Sequence, residues 1–257
     1  MTTGQAAPAV RRPEQVPASL LGPGVTATEM LDDRHGCRGL HQRRLRFAGG
    51  AGSAGGGAAG GAGAAGGAEF AGTAGGRGEA WYVISGSGVL DAERAGRVAL
   101  APGTAVWLEG ALGYACQAQP GQDLEILAVT VRAGAVDPAD RAGPTRRVVR
   151  LAACEPERSG DREFRVLLSE GLTITQFAGL IPPGRAPAHH HTYDEVVHVL
   201  AGRGVVHLSG TTAEIGPGTS IYLPPYQPHC LENTGSGALE VLGVFYPAGS
   251  PAAKQAS

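Results

Sequence analysis

The sequence predicts an all-β protein in which one small barrel or sandwich occurs twice. Three observations favour this fold class. Short apolar or alternating segments recur between glycines and prolines, which is typical of closely spaced strands. No stretch longer than a turn or two repeats its apolar residues every 3.6 positions, as a helix would. Two motif segments also appear once in each half of the chain.

The predicted strands follow the chain from its first quarter to its end. Each is a run of apolar, β-branched or aromatic residues that stops at a turn-forming residue. They are Gln42–Phe47, Ala80–Ile84, Gly88–Ala92, Ala105–Trp107, Leu124–Val131, Glu163–Leu167, Leu172–Phe177, Val196–Leu200, Gly204–Leu208, Ser220–Leu223 and Leu239–Phe245.

The internal repeat assigns these strands to two units. Glu79–Gly88 (EAWYVISGSG) matches Glu195–Gly204 (EVVHVLAGRG), and Leu100–Leu108 (LAPGTAVWL) matches Ile215–Leu223 (IGPGTSIYL). The two segments keep almost the same separation in each copy. The predicted division is a loose arm at 1–22, a first barrel at 23–132, a linker at 133–145, a second barrel at 146–250 and a tail at 251–257. Within the first barrel, residues 48–68 are Gly or Ala with one exception, Ser53, and predict a flexible loop.

Composition excludes several classes of protein. Lys+Arg number 21 and Asp+Glu 23, so the net charge of -2 offers no basic surface for nucleic acid or an anionic membrane. The four cysteines are scattered and form no CxxC pair, which is typical of a reduced, cytoplasmic protein. We see no signal-peptide pattern and no apolar run long enough to span a bilayer. We therefore expect a soluble cytoplasmic protein.

Four residues of the second half predict a metal site. His189 and His191 are two apart, so on a strand both imidazoles face the same side. A bend after His191 can return Glu195 to that side, and His229 begins a later strand. Three imidazoles and a carboxylate suit Fe, Mn, Ni, Co, Cu or Zn, and the residues alone do not choose among these metals. Four protein ligands leave open positions for substrate, water or dioxygen.

These residues lie in two motifs that resemble those of the cupin superfamily. Gly184–Gly202 (GRAPAHHHTYDEVVHVLAG) resembles G-x5-H-x-H-x3,4-E-x6-G, with four residues instead of five before His189. Gly218–Asn233 (GTSIYLPPYQPHCLEN) resembles G-x5-P-x-G-x2-H-x3-N, with Tyr226 where the family usually has glycine. The resemblance covers about 165–247. It implies two jelly-roll barrels in tandem, a bicupin, with one divalent transition metal in the second barrel.

The first barrel resembles a cupin in fold but lacks the ligands. Counting from the repeat puts Thr73 and Gly75 at the positions of the paired histidines and Tyr114 at the position of the last one. Glu79 alone could not hold a transition metal, so we expect no metal there. Two-barrel cupins commonly pack their sheets together, and a homodimer is a further expectation.

Other residues near the ligands are weaker candidates. Glu195 could act as a base as well as a ligand, and Tyr193 and Tyr226 flank the ligands and could offer a hydroxyl to a bound substrate. His198 lies at an odd offset from Glu195, so we expect it to face away from the metal.

The site is compatible with three classes of function. The first hypothesis is an oxidoreductase that acts on a small organic molecule, similar to cupin dioxygenases such as quercetinase. The second is an O2-independent isomerase, lyase, cyclase or hydrolase in which the metal acts as a Lewis acid. Ureidoglycine aminohydrolases share the arrangement of an empty and a metallated cupin, but their ligand order differs from the one here. The third hypothesis is a non-catalytic protein that binds a small molecule.

Overall fold

A computed structural model describes residues 7–50, 67–93, 96–132, 146–252 and 255–256. The all-β prediction is confirmed: these residues form antiparallel strands and three short 3-10 segments, Pro13–Gln15, Asp33–His35 and Leu151–Ala153. Within the described ranges, no helix has the length and apolar character that crossing a membrane requires. The predicted linker and most of the predicted Gly/Ala loop lie outside the described residues.

The strands of the first half precede the gap at 133–145. They are β1 (Ala9–Arg11), β2 (Ser19–Gly22), β3 (Val25–Leu31), β4 (Leu40–Phe47), β5 (Glu69–Thr73), β6 (Gly78–Ser85), β7 (Gly88–Ala92), β8 (Gly96–Leu100), β9 (Thr104–Glu109), β10 (Gly113–Ala118) and β11 (Leu124–Val131).

The strands of the second half follow it. They are β12 (Arg146–Arg150), β13 (Glu157–Ser159), β14 (Arg162–Leu168), β15 (Thr175–Ile181), β16 (Gly184–Arg185), β17 (His189–His190), β18 (Asp194–Ala201), β19 (Gly204–Leu208), β20 (Thr211–Ile215), β21 (Ser220–Leu223), β22 (His229–Asn233), β23 (Leu239–Tyr246) and β24 (Gln255–Ala256).

Four sheets pair into two barrels of the same design. The N-terminal barrel combines a sheet of order β12-β9-β6-β11-β4-β3-β2 with one of order β5-β10-β7-β8. The C-terminal barrel combines β1-β21-β18-β23-β15-β14-β13 with β20-β19-β22-β17-β24, and β16 also pairs with β22. The strand orders correspond from one barrel to the other, in agreement with the repeat seen in the sequence.

The first strand of each half belongs to the opposite barrel. Ala9–Arg11 pairs with Ser220–Leu223 of the C-terminal barrel, and Arg146–Arg150 pairs with Thr104–Glu109 of the N-terminal barrel. The expectation of a loose arm over 1–22 is therefore wrong for Ala9–Arg11 and for Ser19–Gly22. Each exchanged strand covers what would otherwise be an exposed sheet edge, a long-range effect that composition does not reveal.

Most predicted strands agree with the structure, and one is displaced. Gly88–Ala92, Leu124–Val131, Gly204–Leu208 and Ser220–Leu223 have the predicted bounds. The strand predicted at Leu172–Phe177 instead occupies Thr175–Ile181. The displacement arises because the Leu172 amide donates to Ser169 in a turn through Gly171, whose φ of 69° is left-handed.

The two large sheets pack face to face and bury a shared apolar layer. Tyr82 and Trp107 of the N-terminal barrel and Val196 and Leu242 of the C-terminal barrel are buried in this layer. His198 also faces it, as its offset from Glu195 predicts, and is 2% exposed. The opposite face of each large sheet lines the interior of its own barrel, and the predicted metal ligands lie in the interior of the C-terminal one.

Candidate metal centre

Both sheets of the C-terminal barrel contribute to the predicted site. His189 on β17 pairs directly with His229 on β22, so the two histidines enter the barrel from neighbouring strands. His191 follows β17 on the same side of the chain. Glu195 comes from β18 in the facing sheet, after the predicted bend through Thr192 and Tyr193. All four side chains are buried, with 5–8% of each residue exposed.

The ligand atoms converge on one point. One ring nitrogen of each of His189, His191 and His229 lies within 4.8 Å of the other two. Glu195 Oε2 is 3.5 Å from His191 Nε2 and 3.8 Å from His229 Nε2. Ligand atoms about 2.1 Å from one metal lie about 3.0–3.5 Å apart, so small side-chain rotations would close this set around an ion.

Main-chain oxygens fix the orientation of two imidazoles. Nδ1 of His189 donates to the Pro187 carbonyl at 3.2 Å, and Nδ1 of His229 donates to the Gln227 carbonyl at 2.8 Å. These bonds leave each Nε2 as the lone-pair nitrogen, which is the arrangement that metal-binding histidines use. His191 stacks on Tyr193 with ring centroids 4.9 Å apart and planes 10° from parallel.

The electrostatics of the site favour a cation. Glu195 Oε2 is buried and accepts no hydrogen bond from the described residues. Burial raises the pKa of Glu195 to about 8, and the positive charge of Arg162 opposes part of that shift. A dication between the imidazoles would act in the same direction as Arg162 and would favour the carboxylate.

The imidazole of His229 is in the protonation state that a metal requires. Burial, followed by the neighbouring charge of His189, lowers the pKa of His229 to about 4. The ring is therefore neutral at pH 7, and a neutral imidazole is the form that binds metals. The orphaned carboxylate oxygen, the oriented Nε2 atoms and the neutral ring together fit a divalent transition metal.

A small cavity of about 80 Å³ opens beside the four side chains. Its walls are mostly apolar, with Phe164, Phe177, Val197 and Phe245 among them. At about 10–15 Å³ for each water-sized site, it holds about five to eight such sites, so it suits a molecule with few non-hydrogen atoms.

Arg162 also lines this cavity, although no sequence pattern predicts it. It begins β14, directly after the Gly160–Asp161 turn of the β13–β14 hairpin. Its Nη2 is buried and has no hydrogen-bond partner among the described residues. Its charge lowers the pKa of both Glu195 and His229, so it acts at the ligand cluster itself. No motif identifies it, because it lies upstream of both cupin-like segments.

The two candidate tyrosines lie outside the cavity lining. The Tyr193 hydroxyl donates to the Ser250 carbonyl at 3.2 Å, and its ring packs between His191 and Phe245. Tyr226 is 58% exposed. Its φ of 65° is left-handed, which explains in conformational terms why glycine is the usual residue at that position.

The N-terminal barrel fills the equivalent space with an aromatic pair and an ion pair. Tyr114 has the register position of His229, and it packs edge-to-face on Trp81 with centroids 4.9 Å apart. The residue opposite Tyr114 is Gly72, so Gly72 and not Thr73 takes the place of His189. A Cβ added at Gly72 would lie 3.0 Å from the Tyr114 hydroxyl oxygen. It would also lie 2.8 Å from Phe70 Cε1, so a larger residue at position 72 would have to displace the Phe70 and Tyr114 rings.

Comparisons with known proteins agree with this description. A family model described as a cupin domain matches residues 178–245. An oxalate-binding protein of Thermotoga maritima is 33% identical over 114 residues, which are 39% of this chain and 94% of that protein. The chain belongs to the cupin family. A second relative, an uncharacterized protein of Methanocaldococcus jannaschii, is 40% identical over 58 residues, and the chain spans about half (46%) of its length.

Solved structures show the two-barrel cupin fold along the whole chain. The crystal structure of the protein Ylba from E. coli matches with a TM-score of 0.72 at 15% identity, covering 94% of this chain and 91% of that one. A Bacillus subtilis oxalate decarboxylase matches with a TM-score of 0.70 at 14% identity, covering 96% of this chain and 78% of that one. These likenesses establish the bicupin architecture.

Proposed function

We propose that the C-terminal barrel is the active site of a metal-dependent cupin enzyme that acts on a small carboxylate. Its ligands are His189, His191, Glu195 and His229. The observation that carries the proposal is the pair of orphaned, buried polar atoms, Glu195 Oε2 and Arg162 Nη2, that border one apolar cavity. Burying a charged group without a partner is costly, so each atom indicates a partner: a cation for Glu195 and an anion for Arg162.

Each residue of the site has a defined task. The three imidazoles would hold the ion, and main-chain oxygens set the tautomers of His189 and His229. Arg162 binds the substrate carboxylate and orients its remaining atoms toward the ligand cluster. Glu195 Oε2 is the atom that can accept a substrate proton. The phenylalanines exclude water from the reacting group. A bound transition metal would supply Lewis acidity and, if redox-active, electrons for dioxygen chemistry.

The reaction class that we propose first is oxidation by dioxygen at open metal positions. An apolar cavity next to such a site favours an apolar gas and a desolvated substrate. The alternative is O2-independent, Lewis-acid chemistry on the same carboxylate. The name of the Thermotoga relative, an oxalate-binding protein, supports a small acid as the ligand in either case. If binding occurs without turnover, the third hypothesis, a binding protein, applies.

The experiment combines metal analysis with one matched pair of variants. The protein is purified anaerobically, its metal is identified, and O2 uptake is measured with short oxo-, hydroxy- and dicarboxylic acids. Arg162→Gln should raise KM at least tenfold for a substrate while leaving the metal content unchanged, because charged hydrogen bonds contribute about 1.5–3 kcal/mol. Arg158→Gln, on the same hairpin but with a side chain that is 78% exposed, is the control and should behave as wild type.

The outcomes separate the alternatives. Turnover that continues without O2 would exclude the oxygenase and support the Lewis-acid reaction. An Arg162→Gln enzyme with unchanged KM for every acid would contradict the carboxylate proposal. Absence of bound metal in a protein purified and reconstituted with each candidate ion would contradict the metal-dependent site.

A further inference from the structure

The mouth of the N-terminal barrel contains a second, larger cavity that the proposed function does not use. Its volume is about 480 Å³, against about 80 Å³ for the cavity beside the histidines. We call it the polar mouth and define it by six of the side chains that line it. They are Glu29, His41, Arg43, Glu79, Thr130 and Arg132.

This end of the barrel holds a cluster of charged side chains. Further along the same strands the inward-facing residues are apolar and buried, as at Leu45, Phe47, Trp81 and Val83. A barrel that served packing alone would continue that apolar filling to its end, because enclosed polar groups cost free energy unless they are bonded. The charged residues of the polar mouth therefore require a separate explanation.

Glu79 is a fully bonded carboxylate at the floor of the polar mouth. It is 1% exposed, and Oε2 accepts from Trp81 Nε1 at 2.8 Å. Oε1 accepts from Gly75 N and from Arg43 Nη2, both at 2.9 Å, and lies 3.3 Å from Thr130 Oγ1. Four donors from separate segments fix this group, so it holds Arg43 in one orientation.

Arg43 keeps unused hydrogen-bonding capacity. A guanidinium has five N–H donors, and the only carboxylate oxygen that Arg43 contacts among the described residues is Glu79 Oε1. Its Nε is buried and has no hydrogen-bond partner within the described ranges. Arg43 is thus a cation held by Glu79 and close to the Tyr114 hydroxyl, and its side chain, 24% exposed, lines the cavity. A guanidinium held in this way can pair with a carboxylate.

A second cation and further polar groups border the same cavity. Arg132 Nη1 lies 3.0 Å from Asp33 Oδ2 and 3.4 Å from His41 Nε2, and 43% of its side chain is exposed. Glu29 adds a carboxylate to the lining. The walls therefore offer two guanidiniums to an anion and a carboxylate to a hydrogen-bond donor. This mixture suits a ligand that carries both kinds of group.

We propose that the polar mouth is a metal-independent binding site for a small organic acid that also carries a hydroxyl or ammonium group. Arg43 and Arg132 bind the carboxylate, and Glu29 accepts from the second group. The site is metal-independent because its side chains do not form a cluster of metal ligands. Among the described residues, such a cluster is found at His189, His191 and His229 of the other barrel. Because Arg162 is a competing anion site, the test uses a chain in which that site is removed.

The test is a ligand-observed NMR titration of full-length, metal-loaded Arg162→Gln protein with four probes of similar size. Lactate and alanine carry both groups, propionate lacks the second donor, and propane-1,2-diol lacks the carboxylate. We expect lactate or alanine to bind saturably below about 10 mM. Propionate and the diol should bind at least tenfold more weakly. Arg132→Gln should weaken binding at least tenfold, whereas Arg46→Gln should not, because Arg46 faces outward from the same strand as Arg43 and pairs with Asp123.

A second variant keeps the test decisive if Arg132→Gln does not fold. Glu29→Gln should remove the preference for lactate or alanine over propionate while retaining carboxylate binding. The proposal is overturned if neither lactate nor alanine shows saturable binding, or if they bind to the wild type but not to the Arg162→Gln protein. It is also overturned if folded Arg132→Gln and Glu29→Gln proteins both bind as their parent does.

Discussion

Glu79 and Glu195 have the same register position in the two barrels, yet their surroundings differ in nearly every contact. Around Glu195, the neighbouring inward positions are Phe177 and Phe245, and Oε2 accepts no hydrogen bond from the described residues. Around Glu79, the same two positions are Arg43 and Thr130, and both carboxylate oxygens are bonded. The comparison shows that one position of this fold holds a fully bonded carboxylate in the N-terminal barrel and, in the C-terminal barrel, a carboxylate whose Oε2 receives no hydrogen bond from the described residues.

Two other predicted ligand positions and one position beside them also carry different residues in the two barrels. His229 corresponds to Tyr114, His189 to Gly72 and Val197 to Trp81. In the N-terminal barrel the large aromatic side chains occupy the volume that the C-terminal barrel leaves to a ligand. One fold can therefore carry a cluster of candidate metal ligands in one copy and an aromatic pair in the other through exchanges at a few inward positions.

Substituting the two glutamates by glutamine tests this comparison with the largest expected effect. Glu195→Gln should lower activity by more than about 100-fold and should weaken metal binding. Replacing a residue that only hydrogen-bonds to a metal ligand already costs about 10–100-fold, and Glu195 is itself a proposed ligand. Glu79→Gln should keep both, but should lower the free energy of unfolding by about 3 kcal/mol because Arg43 loses its buried partner. Turnover, metal content and urea denaturation measure these effects. Equal loss of metal from both variants would contradict the division of roles.

The interface residue His198 supplies a smaller and pH-dependent test. It corresponds to Tyr82 in the other barrel, and Nδ1 lies 3.0 Å from Ser220 Oγ. Burial, helped by the charge of Arg44, lowers the pKa of His198 from 6.5 to about 3. Above pH 6.5 the ring is neutral in both states. Below that pH the unfolded chain binds a proton that the folded protein excludes, so stability falls as pH decreases.

The proton bound by His198 in the unfolded chain lowers the free energy of unfolding at pH 5 by about 2 kcal/mol relative to pH 7.5. His198→Gln should remove that part of the loss, measured by urea denaturation with a chelator present so that metal release does not contribute. His207→Gln is the matched control, since His207 pairs with Glu232 at 2.7 Å and does not face the interface. A wild-type pH dependence in the His198→Gln protein would show that His198 is not the responsible group.

Local patterns predicted the ligand set, whereas long-range contacts did not appear in the sequence. His189, His191 and Glu195 lie within seven consecutive residues. Strand alternation places the two histidines on one side, and a bend after His191 returns Glu195 to them. Arg162 could not be predicted, because a separate hairpin brings it to the cavity. The pairing of Ala9–Arg11 and Arg146–Arg150 with the opposite barrel could not be predicted either, because strand partners depend on the assembled sheets. The shift from Thr73 to Gly72 arose because counting along the chain ignores one residue of loop length.

The most direct test is the number of metal ions per chain, measured by elemental analysis on the wild type, His229→Ala and His207→Ala. His207 is on β19, the strand that pairs with β22, and is the control for removing a histidine from that sheet. The account predicts one ion per chain in the wild type and in His207→Ala, and almost none in His229→Ala. Two ions per chain in the wild type, or full retention in His229→Ala, would contradict a single metal site in the C-terminal barrel.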